Sequence, residues 1–246
     1  MNRLAMAIAF LTRLPVPVPK DAGPREVARS MLVFPLVGGV MGAAVAGIGL
    51  LLARALPPLV AAALATSLGT LATGALHLDG LADSADGLGG GRDAEHALRI
   101  MRDHAVGTYG AAAVCLVLLV KVSATAALLG EAGAPVWLPL AGALSRWIMV
   151  PLAHMPRARQ DGLGSSVAAH VGPWELAGAT VFACAPAIAL GGLRGLLAIL
   201  AVGVLGAAWA TACWRRIGGM TGDTLGASSE LAEALVLVLG AGMGVR

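Results

Sequence analysis

Charged residues are scarce in this sequence of 246 residues: aspartate, glutamate, lysine and arginine make up only 13% of it. A typical soluble domain has about a quarter. Hydrophobic residues make up 58%, and no polar block of domain size interrupts the apolar stretches. Because such a chain has too little polar surface for water, we predict one integral membrane domain over residues 1–246.

Cysteine, histidine and basic clusters are also scarce. The three cysteines, Cys115, Cys184 and Cys213, lie far apart in apolar runs without a CxxC motif or a disulfide framework, so we expect reduced, structural thiols. The five histidines show no HxxxH or HExxH spacing, which argues against a zinc site. The net charge of +3 comes from basic residues that stand singly between apolar runs. This pattern argues against nucleic acid as a partner.

Seven apolar segments are about as long as a membrane-spanning helix requires. They predict an all-α, polytopic membrane helix bundle with about seven transmembrane helices, and several are rich in the glycine and alanine that allow close helix packing. A further helix at Leu4–Leu14 is expected to lie at the membrane interface. The seven segments are 31–53, 57–76, 109–130, 136–153, 174–192, 195–213 and 225–243.

The basic residues between these segments predict the orientation of the chain. With a cytosolic N-terminus, twelve lie inside and three outside, while Lys121 and Arg146 fall within spans. The outside residues are Arg54, Arg194 and Arg246; the inside residues are Arg3, Arg13, Lys20, Arg25, Arg29, Arg92, Arg99, Arg102, Arg157, Arg159, Arg215 and Arg216. This bias is a clear positive-inside signal and predicts a cytosolic N-terminus. It also places the polar segments 77–108, 154–173 and 214–224 on one cytosolic face, where we expect the active site.

Three aspartates in the first polar segment are spaced for one face of a helix. Asp79, Asp83 and Asp86 follow an i, i+4, i+7 pattern, which would stack three carboxylates along one stripe. Such a stripe favours Mg²⁺, or Mn²⁺, together with a phosphate-bearing substrate. The alternative is a solvated acidic helix end. Asp103 could supply a further carboxylate.

Other residues of the same segment are candidates for catalysis and phosphate binding. His77 is a candidate general base, although a lone histidine is often structural. Arg92, Arg99 and Arg102 are candidate phosphate ligands. Asp93 is a candidate N-cap for a short helix over 94–103.

A second glycine-rich polar segment precedes the last span. Thr221, Gly222 and Asp223 stand where that span begins, and helix N-termini attract anions, so we expect substrate and metal contacts there. Glu230 and Glu233 lie inside the span, where carboxylates are either functional or paired with a cation such as Lys121 or Arg146. Lys121 and Arg146 are accordingly either substrate ligands or members of internal ion pairs.

Several of these segments together resemble one family. FLTRLPVP at 10–17, HLDGLADSADGLGGGRD at 77–93, MRDHAVGTYG at 101–110 and GGMTGDTLGA at 218–227 occur in this order between hydrophobic spans. FPLVGG at 34–39 and SRW at 145–147 extend the likeness over essentially the whole chain. The chain is similar to the cobalamin synthase family, the adenosylcobinamide-GDP ribazoletransferases.

The resemblance implies an inner-membrane, Mg²⁺-dependent phosphotransferase. A ribose hydroxyl of α-ribazole, or of its 5′-phosphate, would attack the cobinamide-side phosphorus of adenosylcobinamide-GDP, and GMP would leave. Asp79, Asp83 and Asp86 would hold one or two Mg²⁺ ions, completed by Asp103 or Asp223. A carboxylate such as Asp83 or Asp86, or His77, would take the proton.

Alternatives and partners remain open. The CDP-alcohol phosphotransferases share this kind of acidic motif, but Asp83 follows Ala82 where their signature has arginine. A carrier for a small anionic metabolite and a non-catalytic scaffold are the alternative functions. A homo-oligomer, or association with other late cobalamin enzymes, is possible for a surface rich in glycine and alanine.

Overall fold

The computed structural model of the protein describes residues 2–19, 21–131 and 134–243. Lys20 and Arg246, which were counted in the charge bias, lie outside these residues. The described residues form eleven α-helices and a short 3-10 helix, and they contain no β-strand, so the predicted all-α class is confirmed. The α-helices are α1 (Arg3–Leu11), α2 (Pro24–Ser30), α3 (Phe34–Leu52), α4 (Pro58–Thr73), α5 (Leu76–Gly90), α6 (Ala94–Ile100), α7 (Thr108–Gly130), α8 (Ala134–Leu152), α9 (Leu163–Ala168), α10 (Pro173–Ile217) and α11 (Gly222–Met243).

Several of these helices are apolar enough to cross a membrane, and the protein is a multi-pass membrane protein. Four described stretches meet the length and hydropathy required: Pro24–Leu52, α7, α10 and α11. The pair α4 and α5 makes a fifth if it is counted as one span bent by 89°. The predicted number of seven spans is therefore not confirmed.

Helix α5 leaves the direction of α4 at a sharp bend. Gly74 and Ala75 both adopt left-handed backbone conformations, with φ of 64° and 59°, and glycine takes this conformation without steric cost. Because α5 turns away by 89° and carries three carboxylates, we place it outside the spanning segments.

Helix α10 contains two arms that run in opposite directions. Gly192 has a non-helical backbone (φ 55°, ψ −132°) between residues 173–191 and 193–217. The indole N–H of Trp147 donates to the Thr180 hydroxyl at 3.1 Å, while a β-carbon at Gly206 would lie 3.3 Å from its neighbour Ile148. In a straight helix Thr180 and Gly206 would be about 39 Å apart. The chain therefore doubles back at Gly192.

Small residues allow the helices at the centre of the bundle to touch. A β-carbon at Gly38 would overlap the carbonyl oxygen of Gly142, and one at Gly42 would overlap that of Leu138. Helices α3 and α8 are therefore in backbone contact, which is the small-residue packing expected in lipid. Helix α11 packs against α5, α7 and α8 and is largely buried.

Several predicted boundaries differ from the structure. The N-terminal helix ends at Leu11 rather than Leu14, because Thr12 is extended and a proline-rich stretch follows. The helix expected over 94–103 ends at Ile100, although Asp93 caps it as predicted by accepting from His96 N. The polar segment expected over 214–224 is only the turn 218–221, since α10 continues to Ile217 and α11 begins at Gly222.

Candidate active site

Helices α5 and α11 bring two acidic segments together. Asp79, Asp83 and Asp86 all lie on α5, and Asp223 lies in the first turn of α11. The helices touch at Gly80, where an added β-carbon would lie 2.7 Å from the carbonyl oxygen of Asp223. Residues about 140 positions apart in the sequence thus meet at one place, because a glycine allows the backbones to approach.

A cavity of about 240 Å³ opens at this contact. One wall comes from α5 and another from α11. The third comes from residues 159–165, in the polar segment that precedes α10. The lining includes His77, Asp79, Gly80, Arg159, Asp161, Gly164, Gly222 and Asp223.

Negative charge exceeds positive charge around this cavity. Asp79 is exposed and Asp83 is half-buried. Burial, followed by the charges of Asp79, Asp223 and Asp86, raises the pKa of Asp83 to about 6, against which the Arg159 charge acts to lower it. Such crowding of carboxylates is unfavourable unless a cation joins them.

Arg159 is held in place beside Asp223. Its Nη2 atom donates to Asp223 Oδ2 at 3.0 Å, while its Nη1 atom is buried and has no hydrogen-bond partner within the described part of the chain. The backbone around it is fixed: Ala158 N donates to Met220 O at 2.9 Å, and the Ser165 hydroxyl donates to Arg159 O at 2.7 Å. A buried guanidinium N–H that lacks an acceptor is costly, and an anion in the cavity would satisfy it.

Sequence reasoning missed Arg159 as a site residue and used it only as a topology signal. It lies 64 positions before Asp223, and only the folded backbone brings the two together. The available signal was its place in the second polar segment on the predicted cytosolic face.

His77 lines the same cavity and is 3% exposed. Neither ring nitrogen has a hydrogen-bond partner among the described residues. Burial, followed by the charge of Arg146, lowers the pKa of His77 to about 3, so the ring is neutral and a weak base, although both nitrogens are free to meet a bound group. Its catalytic role remains a prediction.

Asp86 and Asp103 are directed elsewhere. Asp86 accepts from Gly107 N at 2.7 Å and from Gly110 N at 2.9 Å, so its carboxylate caps the first turn of α7. Asp103 is exposed and accepts from Ala105 N at 3.1 Å. Neither residue lines the cavity; Asp83 is not in the lining either, but it lies one turn along α5 from Asp79, and the charges of Asp79 and Asp223 act on it. Within residues 2–19, 21–131 and 134–243, no three histidine, cysteine, aspartate or glutamate side chains form a group able to hold a metal ion.

The predicted phosphate ligands on the first polar segment also lie outside the cavity lining. Arg102 pairs with Asp161, with Nη2 2.7 and 2.5 Å from the two carboxylate oxygens. Arg92 is exposed, and its backbone N–H donates to the His96 ring.

Thr221 and Gly222 shape the cavity in different ways. Thr221 is buried and caps α11, because its hydroxyl accepts from Thr224 N at 3.2 Å. The same hydroxyl lies 3.3 Å from Asp223 Oδ2 as a donor and so holds that carboxylate. Gly222 lines the cavity, where its backbone meets that of Gly164.

Lys121 and Arg146 belong to a separate ion-pair network inside the bundle. Lys121 Nζ lies 3.0 Å from Glu230 and 2.9 Å from Glu233, and Arg146 pairs with the second oxygen of Glu233. The four side chains border a small cavity of about 50 Å³ between α3, α4, α7, α8 and α11. The structure therefore shows the internal ion pairs that the sequence left open, and substrate contact by Lys121 or Arg146 remains a prediction.

Comparison with known proteins identifies a matching family and several relatives of this chain. The family described as cobalamin-5-phosphate synthase matches residues 3–241. A protein of Pseudomonas aeruginosa (strain UCBPP-PA14) described as adenosylcobinamide-GDP ribazoletransferase is 44% identical, with 97% of each chain covered. Relatives with the same description from Syntrophobacter fumaroxidans and Ralstonia nicotianae are 40% and 41% identical. These alignments cover 96% of both chains in the first case, and 95% of this chain and 92% of the relative in the second. No solved structure matches the chain.

Proposed function

Because the chain belongs to the cobalamin-5-phosphate synthase family, we propose that the cavity between α5 and α11 is where this enzyme joins the two halves of cobalamin. The enzyme is an adenosylcobinamide-GDP ribazoletransferase of late cobalamin biosynthesis. Its substrates are adenosylcobinamide-GDP and α-ribazole or its 5′-phosphate. The observation that carries the site assignment is the excess of carboxylates around a cavity that also holds an unsatisfied arginine N–H.

The residues around the cavity fit a divalent cation by their chemistry. Asp79, Asp83 and Asp223 offer hard carboxylate oxygens, with Arg159 as the nearby cation. Mg²⁺ is usually held by one or two protein carboxylates together with substrate phosphates, so these three residues are the proposed ligands. A bound Mg²⁺ ion would neutralise the pyrophosphate and orient it for in-line displacement.

The remaining groups in the cavity have complementary roles. The free Nη1 of Arg159 donates to a pyrophosphate oxygen, as a positioned guanidinium does for phosphate in general. His77 or Asp83 takes the proton of the attacking ribose hydroxyl. The cobinamide-side phosphorus is attacked, its bond to the bridging oxygen breaks, and GMP leaves with that oxygen.

We also propose that the cavity faces the cytosol and that the membrane is the bacterial inner membrane. The excess of basic residues, twelve in the predicted cytosolic segments against three in the opposite ones, supports this orientation. It would admit adenosylcobinamide-GDP and α-ribazole from the cytosol.

The test is GMP release by the purified chain in detergent with adenosylcobinamide-GDP, α-ribazole and Mg²⁺ or Mn²⁺. We expect turnover with either ion and none with a chelator in excess. Asp83→Asn should lower turnover at least about 10²-fold, because a metal ion supplies several kcal/mol in such reactions.

The matched control is Glu95→Gln, which removes an exposed carboxylate that pairs only with Arg99 outside the cavity. This variant should keep its turnover. Full turnover by Asp83→Asn would contradict the assignment of the cavity as the active site. Transport without turnover in liposomes would support a carrier instead.

A further inference from the structure

A larger, open groove of about 790 Å³ lies away from the acidic cavity, between α1, α2 and the first arm of α10. The two share no lining residue. The floor of the groove is a tight contact in which a β-carbon at Gly178 would overlap the side chain of Leu32. The first arm of α10 and the 3-10 helix are therefore in close contact beneath the groove.

One end of the groove is basic. Arg3 comes from α1, while Arg25 and Arg29 are one turn apart on α2. All three are exposed, and none of their guanidinium groups has a hydrogen bond or an ion pair with another described residue. Three like charges held together in this way attract an anion.

The carboxylates near this end already have partners. Glu175 lines the groove, but its Oε2 atom accepts from Gly172 N at 3.0 Å. Glu26 lies between the two arginines of α2 in the sequence, and its Oε2 atom accepts from Gly23 N at 3.0 Å. Both carboxylates keep their negative charge, and the charges of Arg29 and Arg25 act on Glu26, so the three arginines exceed the two glutamates by one positive charge.

The other end of the groove is apolar and runs along α10. Trp174 is 79% exposed in the first turn of this helix. Val181 and Phe182 are 63% and 38% exposed and lie about 10–12 Å further along the axis. Tryptophan is enriched at the level of lipid headgroups, and exposed valine and phenylalanine two turns deeper suit acyl chains.

We propose that this groove binds an anionic phospholipid. The phosphate lies among Arg3, Arg25 and Arg29, the glycerol region lies beside Trp174, and an acyl chain follows Val181 and Phe182. Basic pockets next to membrane helices on the cytosolic side recognise anionic headgroups in this way. A soluble phosphate ester would use the arginines but would leave the apolar end of the groove without a ligand.

The test is lipid binding by the full chain in detergent, measured by native mass spectrometry without substrates. Dioleoylphosphatidylglycerol and dioleoylphosphatidylcholine share acyl chains but differ in net charge. We expect the anionic lipid to bind more tightly. Replacing all three arginines by glutamine should weaken its binding by about fivefold per arginine, since each basic residue near an anionic surface contributes about that factor.

Two variants control for general electrostatics and for folding. Arg215→Gln removes one exposed arginine that does not line the groove, near the C-terminal end of the second arm of α10, and should leave lipid binding unchanged. The triple lysine variant Arg3→Lys, Arg25→Lys, Arg29→Lys keeps the charge and should keep most of the affinity.

Three results would overturn the proposal. They are equal binding of the two lipids, unchanged binding by the triple glutamine variant, and displacement of the anionic lipid by inorganic pyrophosphate at similar concentrations. The last result would assign the groove to a soluble phosphate. None of these measurements depends on turnover, so the lipid site and the proposed active site stand or fall separately.

Discussion

The acidic cavity and the interior of the bundle both concentrate charge, but they differ in how that charge is balanced. In the interior, Lys121 and Arg146 face Glu230 and Glu233, two cations against two anions in mutual contact. At the cavity, the carboxylates outnumber the cations, and Arg159 still has a free N–H group. The charges of the interior cluster are neutralised within the fold, whereas neutralising the carboxylates of the cavity would take a bound cation. We propose that this difference separates residues that stabilise the bundle from residues that act on a substrate.

The largest expected effect is on the interior cluster. Glu233→Gln removes the carboxylate that both Lys121 and Arg146 contact and leaves buried positive charge in excess. We expect a loss of about 3–5 kcal/mol in the free energy of unfolding, visible as a lower melting temperature in detergent.

A double-mutant cycle sharpens this prediction. Lys121→Met with Glu230→Gln removes both members of one pair and should cost less than the sum of the single changes. If Glu233→Gln kept the wild-type melting temperature but lost turnover, the interior cluster would have to be assigned to the active site.

Arg159→Gln, at the acidic cavity, should lower turnover and leave stability nearly unchanged. We expect turnover to fall about 10²–10³-fold, as when a positioned hydrogen-bond donor is removed, with little change in melting temperature. Arg159→Lys should recover part of the loss, while Arg99→Gln, at an exposed arginine outside the cavity, should change neither quantity. Unchanged turnover in Arg159→Gln would show that the free N–H group has no part in binding the pyrophosphate.

The contact between α5 and α11 offers a smaller and purely steric test. Gly80→Ala pushes a methyl group against Asp223 O and should cost about 1–3 kcal/mol of stability, as overpacking does. Turnover should fall further than stability, because displaced carboxylates no longer meet the substrate. Gly47→Ala on α3 is the control, since nothing lies within 4 Å of its added β-carbon. If both alanine variants behaved alike, close approach at Gly80 would not matter.

The smallest effect is expected for Asp86, which shares the stripe of Asp79 and Asp83 but caps α7. Asp86→Asn should lower the free energy of unfolding by about 1–2 kcal/mol, the range for loss of a helix cap. Turnover and the Mg²⁺ concentration for half-maximal turnover should change far less than in Asp83→Asn. A raised Mg²⁺ requirement would make Asp86 the ligand predicted from the sequence.

The helices were predictable because their signals are local. The apolar stretches and the i, i+4, i+7 spacing of Asp79, Asp83 and Asp86 each lie within one segment, and the structure has helices there. The ends were less predictable. Thr12 ends α1 early because its backbone turns extended before the prolines, and α10 runs four residues beyond the last apolar stretch.

The site was only partly predictable, because its members meet through tertiary contacts. The spacing of Asp86 is right for the acidic stripe, yet the amides of Gly107 and Gly110 draw its carboxylate towards α7. Arg159 gave no local sign that it would reach Asp223. The internal partners of Glu230 and Glu233 were foreseen as one of two alternatives, since few cations exist inside the spans to neutralise them.

The reversal of α10 at Gly192 bears on how the chain enters the membrane. Its two arms meet closely beside the turn, where a β-carbon at Gly195 would overlap the carbonyl oxygen of Ala187. The connection between them is so short that, in the proposed orientation, only a few residues near Arg194 have to be transferred across the bilayer. The arms can therefore be integrated together as one helical hairpin during synthesis, and a residue larger than glycine at position 195 would obstruct that early step by clashing with Ala187.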